Sequence, residues 1–332
     1  MIELSRNLLK LLNGYRCENP PFWEVWFCMH EFCNRRYGDY NSIDSRIRMA
    51  QDLGMAAVFL GAVDTNVSFA ELQPASDGSI HYTSGSLKNL SQLSEKPLPD
   101  WKSIRNKMLA DREAIRKSGL ACWIVLPWCF HSVATSMGLE NFSLAVYDDP
   151  SFIDTAFEWV EERNRMAIDS IISEIHPDFV LFDGDCAHKT GLMIQPSTFR
   201  KLTFEKTAKT VSRLKALGIP YCFHTDGKLD EVIPMLIELG FAAVHGCEKA
   251  ANDLSQLVAN FGDDIVLVGN MDVVFLANAT PEMIIQETLE MLRIGSQKGR
   301  FIAACNTSPQ DYIPEENYNA FAKTVREFKR PI

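Results

Sequence analysis

No stretch of this 332-residue chain approaches the roughly 20 consecutive apolar residues that a membrane-spanning helix needs. The N-terminal MIELSRNLLKLLNGYR is too polar, and its apolar run too short, for a secretory signal. A cytoplasmic protein is therefore expected. Positive charge is scarce: 33 Lys and Arg face 43 Asp and Glu, a net charge of −10. Phosphate backbones and anionic lipid heads repel such a chain, which argues against nucleic acid and membrane surfaces as partners. The cysteines are nine, an odd number without a compact disulfide framework, as suits a reducing compartment. Glycine-rich phosphate loops and a G-x-S-x-G nucleophile elbow are both missing, as are internal repeats and low-complexity segments.

What the chain does have is alternation. Eight short β-rich runs occur: Phe22–Phe27, Ala56–Gly61, Ala121–Pro127, Asp178–Asp185, Pro220–Asp226, Ala242–Glu248, Ile265–Asp272 and Phe301–Ser308. Short apolar runs bounded by turn signals fit strands covered on both faces. Helical patterns separate them. One spans about Ser151 to Ile175, and one runs from Pro196 to near Gly218. A third, through Leu229, Val232, Ile233 and Leu236, stops at Gly240, and a fourth starts at Thr280-Pro281-Glu282. Strand–helix alternation to a count of eight predicts an α/β fold, a (β/α)8 TIM barrel, over a doubly wound open sheet. An N-terminal extension precedes the first strand. A long insertion follows the second: residues 62–120 are too many for a plain loop and read as an excursion over the barrel mouth, with one helix from about Trp101 to Gly119. Residues 1–332 are expected to form a single domain.

Barrels place their chemistry at the C-terminal ends of the strands. That rule selects Asp183 and Asp185 on the fourth run, His224 and Asp226 on the fifth, and His245, Cys247 and Glu248 on the sixth. Asn270 and Asp272 end the seventh, and Cys305 and Asn306 the eighth. Glu24, His30, Trp128 and His131 lie at the ends of the first and third. His224, Glu248 and Cys305 offer imidazole, carboxylate and thiolate, a donor set suited to zinc with one position open for catalysis. Asp226, two residues beyond His224, is a fourth ligand or the group that orients His224. Paired Asp183 and Asp185 share a face and would bind a cation or share a proton. Cys222, Cys247 and His245 read as structural.

The segments FDGDCAHKTGLMIQP (182–196), GIPYCFHTDGKL (218–229), ELGFAAVHGCE (238–248), LVGNMD (267–272) and CNTSPQDYIPEEN (305–317) resemble the uroporphyrinogen decarboxylase superfamily, which includes corrinoid-linked methyltransferases. MGLENFSLAVYDDPSF (137–152) adds to the likeness, which runs from about residue 20 to the end. It implies the same barrel. True decarboxylases carry an arginine-rich RQAGR-type segment; the corresponding FCMHEFCNRRYGDY (27–40) does not match, although Arg35 and Arg36 are present. Thiol-methylating members hold zinc with a His-x-Cys pair and a distant Cys. Here His224 and Cys305 match, and Asp226 stands in place of the middle Cys. Glu248 falls where cobalamin-independent methionine synthases add a Glu ligand.

The resemblance thus implies a methyltransferase moving a methyl group between a corrinoid-binding partner protein and a small-molecule donor or acceptor. Zinc would sit on His224, Glu248, Cys305 and Asp226, while Asp183, Asp185 and Asn270 orient the small substrate. A cofactor-free uroporphyrinogen-type decarboxylase, with a cationic cleft and no metal, is the second reading. A non-catalytic small-ligand-binding barrel is the third. The sequence leaves open a homodimer and the direction of transfer.

Overall fold

The computed structural model describes residues 3–74 and 80–330. Seven parallel strands form one sheet in chain order. They are β1 (Ala57–Ala62), β2 (Ala121–Pro127), β3 (Phe179–Asp183), β4 (Tyr221–His224), β5 (Ala243–His245), β6 (Val266–Met271) and β7 (Phe301–Cys305). Helices lie between successive strands, so the fold is α/β. Both edges of the sheet reach one residue: Phe22 bridges Met55, just before β1, and Ala303 in β7. The sheet therefore curls into a TIM-barrel-like ring.

The first expected strand is reduced to that single bridge, and the hydrogen bonds show why. Trp23 N–H donates to the Ala303 carbonyl at 3.0 Å, and Ala303 N–H donates to the Pro21 carbonyl at 2.9 Å. A parallel ladder would next pair Cys305 with the backbone of residues 23 and 25. Instead Cys305 N–H donates to the Glu24 carboxylate at 3.0 Å, and the Cys305 carbonyl lies 3.0 Å from His245 Nε2. Side chains have replaced two rungs, and the segment beyond Trp23 splays away from β1.

Alternation of side chains along the strands divides the core in two. Trp23, Val25, Trp123, Phe179, Leu181, Cys222, Ala243, Val268 and Ala304 join one buried cluster inside the ring. Trp23 packs edge-on to Trp123 and Phe179, with ring centroids 5.3 and 4.8 Å apart. Leu8, Leu11 and Leu12 of the helix Glu3–Leu12 join the same cluster. Ser5 Oγ in that helix donates to the Ala56 carbonyl, at the start of β1. The N-terminal helix thus covers the end of the ring where the strands begin. The other cluster lies between sheet and helices.

The helical expectations map closely. Pro196–Ala216 is one helix; Pro150–Ala167 continues through a wider turn, Ile168–Ile172, to Ile175. The segment at 229–236 is helical only over Ile233–Leu239, with Pro234 in its first turn and Gly240 as a left-handed cap. Within the excursion, the helix Trp101–Ser118 packs on β1 and β2 as an ordinary barrel helix. The rest includes the antiparallel pair Ala70–Pro74 and Ile80–Gly85; residues 75–79 lie outside the described residues. This pair rests on the helix Cys129–Met137, which follows the C-terminal end of β2. A Cβ on Gly85 would come within 2.3 Å of the Ser136 carbonyl oxygen, so only glycine permits the approach. Among the described residues no helix is long and apolar enough to cross a membrane.

Candidate metal centre

Polar side chains begin where the aromatic filling of the ring ends. Asp183, His224 and His245 are register neighbours across β3, β4 and β5. Each continues the inward alternation of the apolar residue two places earlier, Leu181, Cys222 and Ala243 respectively. Two residues further out, Asp185 and Asp226 follow β3 and β4. Ligand-type atoms of Asp185, His224 and Asp226 all lie within 4.8 Å of one another.

The two loops are tied together. Asp226 N–H donates to Asp185 Oδ1 at 3.0 Å, and Cys186 N–H donates to Thr225 Oγ1 at 3.1 Å. On its other side Asp185 N–H donates to His131 Nδ1 at 3.2 Å. Two glycines permit this closeness. A Cβ on Gly246 would stand 2.0 Å from the Thr225 carbonyl oxygen, and one on Gly227 would stand 2.6 Å from the backbone of Ala187. Both have positive φ, +108° and +90°.

His224 Nδ1 is 2.8 Å from His245 Nδ1, while His224 Nε2 is 3.9 Å from Asp185 Oδ1. The tautomers follow from the far end of this chain. The Cys305 carbonyl can only accept, so His245 Nε2 carries a hydrogen. Burial, reinforced by His224, pushes the pKa of His245 well below its ordinary value and keeps the ring neutral. Its Nδ1 is then an acceptor and His224 Nδ1 is the donor, so His224 turns Nε2 toward the acids. That is the arrangement in which a metal-binding histidine is held by its other nitrogen.

The carboxylates are short of partners. Asp226 Oδ1 is buried without a hydrogen bond. Burial raises the Asp226 carboxyl to about 6; His224 opposes this, and Asp185, Glu248 and Asp183 add to it. Burial likewise raises Asp183, against the pull of His224 and His131. Three acids around one imidazole, with an orphaned buried oxygen, form a concentration of acceptors suited to a cation. The donor set of one nitrogen and carboxylate oxygens suits zinc, and also the harder divalent ions.

Of the residues expected to bind metal, the structure brings together His224 and Asp226 and joins Asp185 to them. Glu248 is near enough for its charge to act on Asp226 but stands outside the group. Cys305 is also outside it. Ala304 belongs to the cluster inside the ring and Cys305 to the one between sheet and helices. Glu24 adjoins the Cys305 thiol, and burial and that carboxylate raise the thiol pKa well above its ordinary value. Both side-chain amide atoms of Asn270 are buried without partners. Sequence reading missed His245 as the hydrogen-bond partner of His224, although its placement on the strand beside His224 was the available signal. His131, named there only as a strand-end residue, is a direct partner of Asp185.

The family model for uroporphyrinogen decarboxylase (URO-D) matches residues 111–328, about two thirds of the chain. No curated protein matches this sequence. Among solved structures, a methyltransferase from Methanosarcina mazei superposes with a TM-score of 0.77 at 16% identity, covering 98% of each chain. A B12-independent methionine synthase from Shewanella sp. W3-18-1, in complex with selenomethionine, gives 0.54 at 12% identity, covering 94% of this chain and 92% of its own. At such identities these two likenesses bear on the fold. The family match, spanning β2 to β7 and every residue of the acidic group, places this chain in the uroporphyrinogen decarboxylase family.

Proposed function

We propose that this protein is a methyltransferase that moves a methyl group between a corrinoid-carrying protein and a small acceptor or donor, with a divalent metal, zinc foremost, at Asp185, His224 and Asp226. The observation that carries this reading is the convergence of those three side chains at the ends of β3 and β4. The two structural neighbours, a methyltransferase and a methionine synthase, support the reaction class. A bound divalent ion would supply Lewis acidity, lowering the pKa of a coordinated thiol or hydroxyl.

The chain's own groups do the positioning. His245 fixes His224 with Nε2 free. His131 accepts from the Asp185 backbone N–H, and the Asp226 N–H donates to the Asp185 carboxylate. Asp183 and Asn270, whose amide is unpartnered, would orient the small substrate. Methyl transfer is an in-line displacement in which the acceptor's lone pair takes the methyl group and cobalt keeps the bonding pair, so alignment is the protein's main contribution.

The decarboxylase alternative is disfavoured by charge. A substrate bearing many carboxylates would meet Asp183, Asp185 and Asp226 at the strand ends, and carboxylates repel one another at short range. The test is to load the purified protein with zinc and add methylcobalamin with a panel of thiols, alcohols and amines. Loss of the methyl–cobalt absorbance, abolished in Asp226→Ala, is the expected result. Turnover of uroporphyrinogen by the metal-free protein would overturn the proposal.

A further inference from the structure

The interrupted eighth stave leaves a cavity of about 430 Å³ between the segment 24–30, β1 and the helix Ile43–Leu53. It flanks the seam of the ring, with β2 between β1 and the strand β3 of the acidic group. Aromatic walls come from Trp26, Phe27, Tyr40 and Phe59, and two cationic side chains, Arg46 and Lys107, line it. The size is that of a small-molecule site, and the mixture of apolar wall with few polar groups is typical of one.

Arg46 is the informative residue. Its Nη1 donates to the Phe59 carbonyl at 2.7 Å, on the edge of β1 that the missing ladder leaves open. Its Nε is buried with no partner. Among the described residues Arg46 makes no ion pair, although sixteen pairs of Lys, Arg or His with acids occur across the molecule. A half-buried guanidinium with a free donor calls for an acceptor, and a planar carboxylate matches its fork. The acid on the cavity wall, Glu24, is already engaged: it accepts from Cys305 N–H at 3.0 Å and from the Tyr318 hydroxyl at 2.9 Å. It does not neutralise Arg46.

We infer that this cavity is a second binding site, for a small organic anion with an aromatic or otherwise flat apolar body, its carboxylate on Arg46 and its body against Trp26, Tyr40 and Phe59. The site is separate from the metal group, so it serves a substrate fragment or an effector rather than the cation.

The test uses 2-naphthoate and its neutral counterpart 2-naphthamide in calorimetric titrations of the full-length protein. Wild type should bind the carboxylate at least about tenfold more tightly than the amide, since the charge-assisted pair is lost in the amide. Arg46→Met, which keeps most of the side-chain volume, should reduce that ratio to within about twofold. Lys107→Gln, at an exposed position, should reduce it partly and guards against a fold defect in the first variant. Asp226→Asn should leave the ratio unchanged. The inference is overturned if neither compound binds, if the two bind equally to wild type, or if Asp226→Asn rather than Arg46→Met removes the preference.

Discussion

His224 and His245 share a hydrogen bond between their Nδ1 atoms, 2.8 Å apart, and the carbonyl of Cys305 decides which of them donates. Three strands of the ring are involved, so the ligand geometry of His224 depends on β7 through β5. Nitrogen-15 NMR should find His245 as the Nε2–H form and His224 as the Nδ1–H form. His245→Phe should weaken divalent metal binding by about 10- to 100-fold, the usual range for loss of a group that orients a ligand. The opposite tautomers would break the chain of reasoning.

The donor group itself is tested by metal content after purification without chelator. His224→Ala and Asp226→Ala should lose the metal, and Cys305→Ser should keep it, because Cys305 lies outside the group of three. Asp226→Cys should shift preference toward zinc over manganese, since a thiolate is the softer donor. Loss of metal in Cys305→Ser alone would return the thiol to the site.

Glu24 makes stability depend on pH. Burial raises its carboxyl from the ordinary 4.5 to about 7, with the hydrogen bonds from Cys305 and Tyr318 opposing the rise. In the unfolded chain Glu24 ionises at the lower value. Folding therefore favours the protonated form, and its contribution is fully present below about 4.5 and lost as pH rises through about 7. Over that window wild type should lose on the order of 3 kcal/mol relative to Glu24→Gln, whose amide does not titrate. Thermal melts of both proteins across this range measure the difference. A constant gap would refute it.

Gly246→Ala should destabilise the fold by about 2 kcal/mol or more, because its Cβ would collide with backbone rather than with a movable side chain. Metal affinity should fall with it, as Thr225 lies between His224 and Asp226. Denaturant titration with and without metal separates the two effects.

The barrel-like order of elements was readable because strands covered on both faces must be apolar runs, and β2 (ACWIVLP) or β6 (VLVGNM) admit little else. Phe22–Phe27 was read as a full strand for the same reason. Phe22, Trp23 and Val25 alternate between the two buried clusters, but Trp26 packs with the same cluster as Val25, and alternation reports burial and not ladder bonds. Nothing in FWEVWF announces that the Glu24 carboxylate will take the Cys305 N–H. His224, Asp226 and Asp185 were legible from their positions at strand ends. The grouping of Cys305 with them was not excluded by sequence, because matching residue types do not reveal which face the last strand turns inward. Ala304 faces inward there, and the thiol is carried to the other side.

The single bridge at Phe22 also sets where this ring is weakest. Every other junction in the sheet is a ladder of three or more paired residues, whereas the closing junction has one residue on each side. Thermal breathing of a closed sheet concentrates at its thinnest stitch. The amides of Trp23 and Ala56 would then exchange with solvent sooner than those at the centre of β2 or β6. An anion settling beside Arg46 would slow that exchange, acting on the ring as a clasp acts on a bracelet.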